Sequence, residues 1–144
     1  MLSVGEGVVT SQDLFHYLVA QLRDPAVPLP LRDLHDFSRV ERFEVSPTAM
    51  RQAAAGTQRR PDHIREARLA VVAPRDEVYA MFRLFQLQSE HAPVIEELRR
   101  KGLSPHVRVF REHAEARAWL LSASPEEADA AEARISTTRR EPGD

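Results

Sequence analysis

Apolar residues recur along this chain at two spacings, and each spacing predicts a different element. Leu14, Leu18 and Leu22, with Phe15 and Val19, repeat every four residues behind a polar opening of Thr10, Ser11, Gln12 and Asp13. That is the stripe of an amphipathic helix preceded by its cap. Residues 69–73 are instead a short apolar run of small and β-branched residues after Leu69, which suits a strand covered on both faces, and Val107, Val109 and Phe110 read as a second short strand. Each run feeds a helical stretch. The first, 75–90, carries Val78, Met81, Phe82 and Phe85 on one stripe, with Leu84 and Leu87 on a second side. The second, 111–121, carries Ala114, Ala118 and Leu121, with Trp119 and Leu120 beside them. Strand then helix, twice over, specifies a sheet covered by helices.

The remaining segments are read in the same way. Residues 2–9 predict a short strand remnant broken by Gly5 and Gly7, and Pro25, Pro28 and Pro30 end the first helix. Leu29 and 31–34 read as a strand, with Asp33, His35 and Asp36 closing it, and 39–45 reads as loop. Ser46 and Pro47 open a helix through 48–55, with Gly56 as its stop and 58–63 as an exposed linker. Val94, Ile95 and Leu98 predict a helix over 92–100 that ends at Gly102. Ser124, Pro125, Glu126 and Glu127 form a capping-box pattern that opens one more short helix. The expected organisation is a single α/β domain over 1–122, a short C-terminal helix over 123–134 and a disordered tail over 135–144. Its sheet is small, mostly parallel or mixed, with flanking helices.

Composition narrows the class. A chain of 144 residues fits one domain, and a net charge of −2 gives no global field for nucleic acid. Of the 20 basic residues only Lys101 is a lysine. Cysteine is absent, which removes disulfides, thiolate metal sites and cysteine nucleophiles. No window approaches the roughly 18 apolar residues of a membrane span, and the first residues lack a secretory pattern. The expectation is a cytoplasmic protein with no cofactor, no metal, no nucleic acid and no integral membrane association.

The two strand–helix units also carry a family resemblance. Leu69-Ala70-Val71-Val72-Ala73, Val78 to Phe85, Val107-Arg108-Val109-Phe110-Arg111-Glu112 and Glu115 to Leu120 resemble the SpoIIAA-like group of the STAS superfamily, bacterial relatives of anti-sigma-factor antagonists also described as STAS/SEC14-like. The likeness covers 68–121 well and 8–56 more weakly. It implies a mostly parallel sheet with helices on its sides and a non-enzymatic regulatory or interaction module that works through a protein partner. The chain departs from the family pattern in a shortened N-terminus, in Ala80 where relatives often have glycine, and in a longer 91–105 segment.

Candidate chemistry is sparse. Ser46, with Thr48 two residues on, occupies the helix start where antagonists of this family carry a regulatory serine. Phosphate there would meet free N–H groups and the helix dipole. The acidic-Ser-Ser-Gly signature is replaced by Glu44-Val45-Ser46-Pro47, and the plain reading of Ser46 is an N-cap. Asp33, His35 and Asp36 form a polar cluster at the expected carboxyl end of a strand, where open α/β sheets bind ligands. The plain reading there is a solvated turn. Arg83 is a candidate anion or partner contact, or else a surface arginine. The other histidines lack metal-site spacing. Three functions are therefore expected in order: a protein-interaction module, a small-molecule or lipid binder using the apolar faces of 78–87 and 92–98, and an enzyme using Asp33, His35 or Asp36. Self-association through a sheet edge or the 91–104 helix stays open.

Overall fold

The computed structural model describes residues 1–90 and 92–122. The expected helix over 123–134 and tail over 135–144 lie outside the described residues. The order is β1 (Leu2–Thr10), α1 (Ser11–Arg23), β2 (Arg32–Glu44), α2 (Pro47–Gln58), α3 (Pro61–Ile64), β3 (Arg68–Val72), α4 (Asp76–Glu90), α5 (Pro93–Arg100), β4 (His106–Phe110) and α6 (His113–Leu121). The strands form one four-stranded sheet in the order β1-β2-β3-β4, and every pairing is parallel. The fold is α/β.

This order explains the layers. Parallel neighbours need crossover helices, and crossovers of one hand stepping in one direction put those helices on one face. Accordingly α1 packs on α2 and α2 on α4, while α6, which follows the last strand, lies against β2, β3 and β4. The core divides the same way. Leu14, Phe37, Val40, Met50, Val71, Val78, Phe82 and Phe85 fill the side under α1, α2 and α4. Leu34, Ala70, Val72, Phe110, Ala116 and Trp119 fill the side under α6. The apolar stripe of α4 is thus consumed by the core, as are Ile95 and Leu98 of α5, while Leu87 stays exposed.

Besides the face of α6, where Ala116 and Trp119 are buried while Ala114, Ala118 and Leu121 are exposed, four sequence expectations change. The segment 39–45 is not loop but belongs to β2, which runs thirteen residues. Two bulges hid it. Phe37 and Ser38 together face Gly5, and Glu41 is inserted between the Gly7–Val40 and Val8–Arg42 pairs. Each extra residue breaks the period of two, so Phe37, Val40 and Phe43 turn inward at a spacing of three. Beyond the end of β3, the Arg75 guanidinium takes over as partner, donating to the carbonyls of Val40 and Glu41. Second, β1 is no remnant but a nine-residue edge strand. Gly5 serves it by closeness: a Cβ there would lie 2.9 Å from the Phe37 ring. Third, α2 continues through Gly56 to Gln58, and the expected linker runs into α3, which starts at Pro61 and has His63 buried. Fourth, Asp33, His35 and Asp36 do not close a strand. They sit in the first third of β2.

Other local readings match. Thr10 and Asp13 form a capping box on α1. Past α5, Gly102 takes φ +70°, and Leu103 N–H donates to Leu98 O at 2.8 Å while Gly102 N–H donates to Arg99 O at 3.0 Å. That is a Schellman ending, which needs a residue at ease in the left-handed region.

Candidate functional site

Period two on β2 puts Asp33, His35 and Phe37 on the α1 side and Leu34 and Asp36 on the α6 side. Period 3.6 on α1 puts Tyr17 and Gln21, one turn apart, above Asp33 and His35. Ser3 pairs with His35 in register on β1 and completes the group. Asp33 is fully buried and His35 is 5% exposed.

The hydrogen bonds converge. Asp33 Oδ2 accepts from Tyr17 OH at 3.1 Å and from Gln21 Nε2 at 2.5 Å. His35 Nε2 lies 2.7 Å from the same oxygen and 3.0 Å from Tyr17 OH. Ser3 Oγ lies 2.7 Å from the phenol oxygen. With Tyr17 donating to Asp33, the network assigns the His35 ring proton to Nε2. Asp33 Oδ1 is buried without a partner. Burial pushes the Asp33 carboxyl up, but the hydrogen bond and charge of His35 and the bonds from Gln21 and Tyr17 outweigh it, so the group titrates below its ordinary range. Burial is also the main reason Tyr17 is pushed far above the usual tyrosine range, with the Asp33 charge acting in the same direction.

What this arrangement can do follows from which nitrogen is used. In a nucleophilic triad the carboxylate holds one imidazole nitrogen and leaves the other to take a proton from the nucleophile. Here the carboxylate and the hydroxyl meet at the same nitrogen, and Nδ1 of His35 has no hydrogen-bond partner among the described residues. A cavity of about 190 Å³ lies between β1 and α1, lined by Ser3, Val4, Gly5, Val9, Tyr17 and His35 among others. It is smaller than the roughly 300 Å³ at which ligand clefts usually begin.

The other candidates lie apart. Asp36, on the opposite face, accepts from Ser38 N–H at 2.8 Å and meets His113 Nδ1 at 3.0 Å. Ser46 is the N-cap of α2, with its Oγ accepting from Ala49 N–H at 3.1 Å, and exposed Thr48 accepts from Arg51 at 3.0 Å. Arg83 is exposed on α4 and donates to Gln86 Oε1 at 2.8 Å. The expected solvated turn at Asp33 and His35 is therefore a buried network, while the cap at Ser46 is real. Sequence reasoning missed Ser3, Tyr17 and Gln21. The i, i+4 pair on α1 and the i, i+2 pair on β2 carried the signal, but only a parallel β1–β2 pairing brings them together.

Comparison of the chain with family models, with curated proteins and with solved structures finds no match. Among the described residues no helix is long and apolar enough to cross a membrane.

Proposed function

We propose that this chain is a non-enzymatic, cytoplasmic, STAS-like regulatory module that works by contact with a protein partner. The observation that carries the reading is the inward closure of the polar cluster around Asp33. Asp33, Tyr17, Gln21 and Ser3 answer one another around a single nitrogen of His35, which is how a structural network is built rather than a site awaiting substrate. The uniformly parallel sheet agrees with what the family resemblance implies. The outer surface supports contact: Leu2, Val4 and Val8 stand 59%, 47% and 40% exposed on the face of β1 that α6 leaves uncovered, and Phe15 on α1 is 63% exposed. Ser46 is the regulatory position this reading names. Its hydroxyl is exposed at the start of α2, and phosphate there would meet the helix dipole.

The test is the state of the protein in its own host. In-cell crosslinking followed by native mass measurement is expected to find the 16.3 kDa chain in a discrete complex with another protein, with the interaction altered when Ser46 is phosphorylated. A chain that is always alone, or turnover of a substrate that disappears in His35→Gln, overturns the reading. The 190 Å³ cavity beside Ser3, Tyr17 and His35 favours a small-molecule binder as second reading. A bound mass of a few heavy atoms on the natively purified protein would select it.

A further inference from the structure

We propose that the cavity between β1 and α1 is a binding site for a small primary amine with a compact apolar body. This rests on the small-molecule reading above, not on the protein-contact one, and names the class of ligand.

Size and walls supply the first observation. The cavity measures about 190 Å³, and Val4, Val9, Leu14 and Phe37 give it apolar walls, with Gly5 adding bare backbone. A cavity of about 150 Å³ lined by apolar side chains holds a benzene ring. The space beside β1 therefore suits one six-membered ring with one or two further heavy atoms. That is too little for a cofactor and enough for a small metabolite-sized fragment.

The polar side chains at the cavity supply the second. The Asp33 carboxylate can only accept, so Tyr17 donates its one proton to it, and Ser3 in turn donates to Tyr17. Ser3 Oγ is left with acceptor capacity alone. Asp13 accepts from the Thr10 N–H and from the Thr10 hydroxyl through Oδ2, at 2.9 Å each. Its Oδ1 has no hydrogen-bond partner among the described residues. With the His35 ring proton on Nε2 and directed at Asp33, the lining side chains offer acceptors and no free donor. A ligand that donates finds Ser3 and Asp13, whereas one that only accepts finds neither.

Charge narrows the donor to a cation. No lysine or arginine stands among the described lining residues, and Asp13 does. The Thr10 bonds hold the Asp13 carboxyl below its ordinary range, so it is ionised at neutral pH. His16 acts on Asp13 from outside the lining. Behind the wall, Asp33 adds negative charge that His35 can at most cancel. A primary ammonium brings three donors to this small set of acceptors, whereas a guanidinium brings five and would leave some unanswered. Asp13 and Tyr17 stand one turn apart on α1, about 6 Å along its axis. An ammonium at Asp13 therefore sets its apolar body against Val9, Leu14 and Phe37, with its far end beside Ser3.

The experiment titrates the full chain with benzylamine, benzyl alcohol and benzoate, which are close in shape and differ in charge, and follows backbone amide shifts by NMR. The expected result is saturable shifts at Ser3, Gly5, Val9 and Leu14. Benzylamine binds roughly tenfold tighter than benzyl alcohol, and benzoate more weakly than either. Added salt shrinks the advantage of the amine and leaves the alcohol unchanged. Asp13→Asn keeps an oxygen for the Thr10 cap while removing the charge, and it brings benzylamine down to the affinity of the alcohol. Equal binding of amine and alcohol to the unchanged protein, a preference for benzoate, or shifts that cluster elsewhere overturns the proposal. So does an Asp13→Asn protein that still favours the amine. Where none of the three binds, the mass of the natively purified protein separates the two failures. A small bound mass overturns the amine site while the small-molecule reading stands, and a bare chain overturns both.

Discussion

At the β1 end of the sheet, donors from α1 and β2 converge on one oxygen of Asp33, a residue that is itself fully buried. At the β4 end, two valines turn their backbone groups into a groove and Trp119 keeps an unanswered N–H beside them. Both regions pack a helix against a parallel strand, and both place polar groups next to apolar ones. The difference lies in accounting. A buried polar group whose partners are internal stabilises and specifies the fold, whereas one without a partner is a standing cost that a ligand can relieve. By that measure most of the Asp33 cluster is answered internally, with Asp33 Oδ1 the atom left over, whereas the indole N–H of Trp119 is not answered at all.

That contrast can be broken most forcefully at Asp33. Asp33→Ala leaves Tyr17, Gln21 and His35 aimed at nothing in a buried site and is expected to lower unfolding stability by about 3 kcal/mol, as measured by urea denaturation. A loss under about 1 kcal/mol would mean the network is not structural, and the cluster would regain its standing as a candidate active site.

Acid titration sharpens the same point. The folded carboxyl of Asp33 is held below its ordinary value. Its contribution is therefore complete above about pH 4, the usual carboxylate value, and is lost as pH falls through the lower folded value. Asp33→Asn should flatten that part of the acid limb in a stability-against-pH series. An unchanged limb would place the acid-labile group elsewhere.

The alkaline side tests Tyr17. Its ionisation is pushed up by burial and by the Asp33 charge. The stability it contributes is complete below about pH 10, the ordinary tyrosine value, and disappears as pH climbs toward the raised folded value. Of the two tyrosines in the chain, phenolate absorbance is expected to show Tyr17 ionising only as the protein unfolds. Tyr17 titrating freely in the folded protein would contradict the closed network.

The smallest effect is expected at the other end. Trp119→Phe removes a donor that has no partner and keeps most of the ring packing against Phe110, whose centroid lies 5.8 Å away. The stability change should be within about 1 kcal/mol by thermal or urea melt. A much larger loss would show that the indole N–H is satisfied in the free protein and that the two ends of the sheet are alike.

How much of this was legible in the chain depended on whether neighbours in sequence were also neighbours in space. The runs 69–73 and 107–110 and the stripes of α1 and α4 are local patterns, and they gave strands and helices where expected. Ser46 before Pro47, Thr10 before Asp13 and Gly102 after α5 are local as well, and each does the capping work its chemistry suggests. The 39–45 segment failed because two bulges on β2 broke the alternation, and those bulges exist only in relation to β1. Asp33 and His35 were recognised as a pair but set in a solvated turn, because nothing local shows that α1 will cover them.

The sequence by itself determined the α/β class, the positions of most elements and their caps, since those follow from periodicity and from single-residue backbone preferences. Only the tertiary structure decided the strand order, the enclosure of Asp33 and His35 by Ser3, Tyr17 and Gln21, and which side of β4 pairs with β3. Those outcomes depend on which strands pair and which face each crossover helix covers. They are contacts between segments far apart in the chain, for which one sequence carries no local mark.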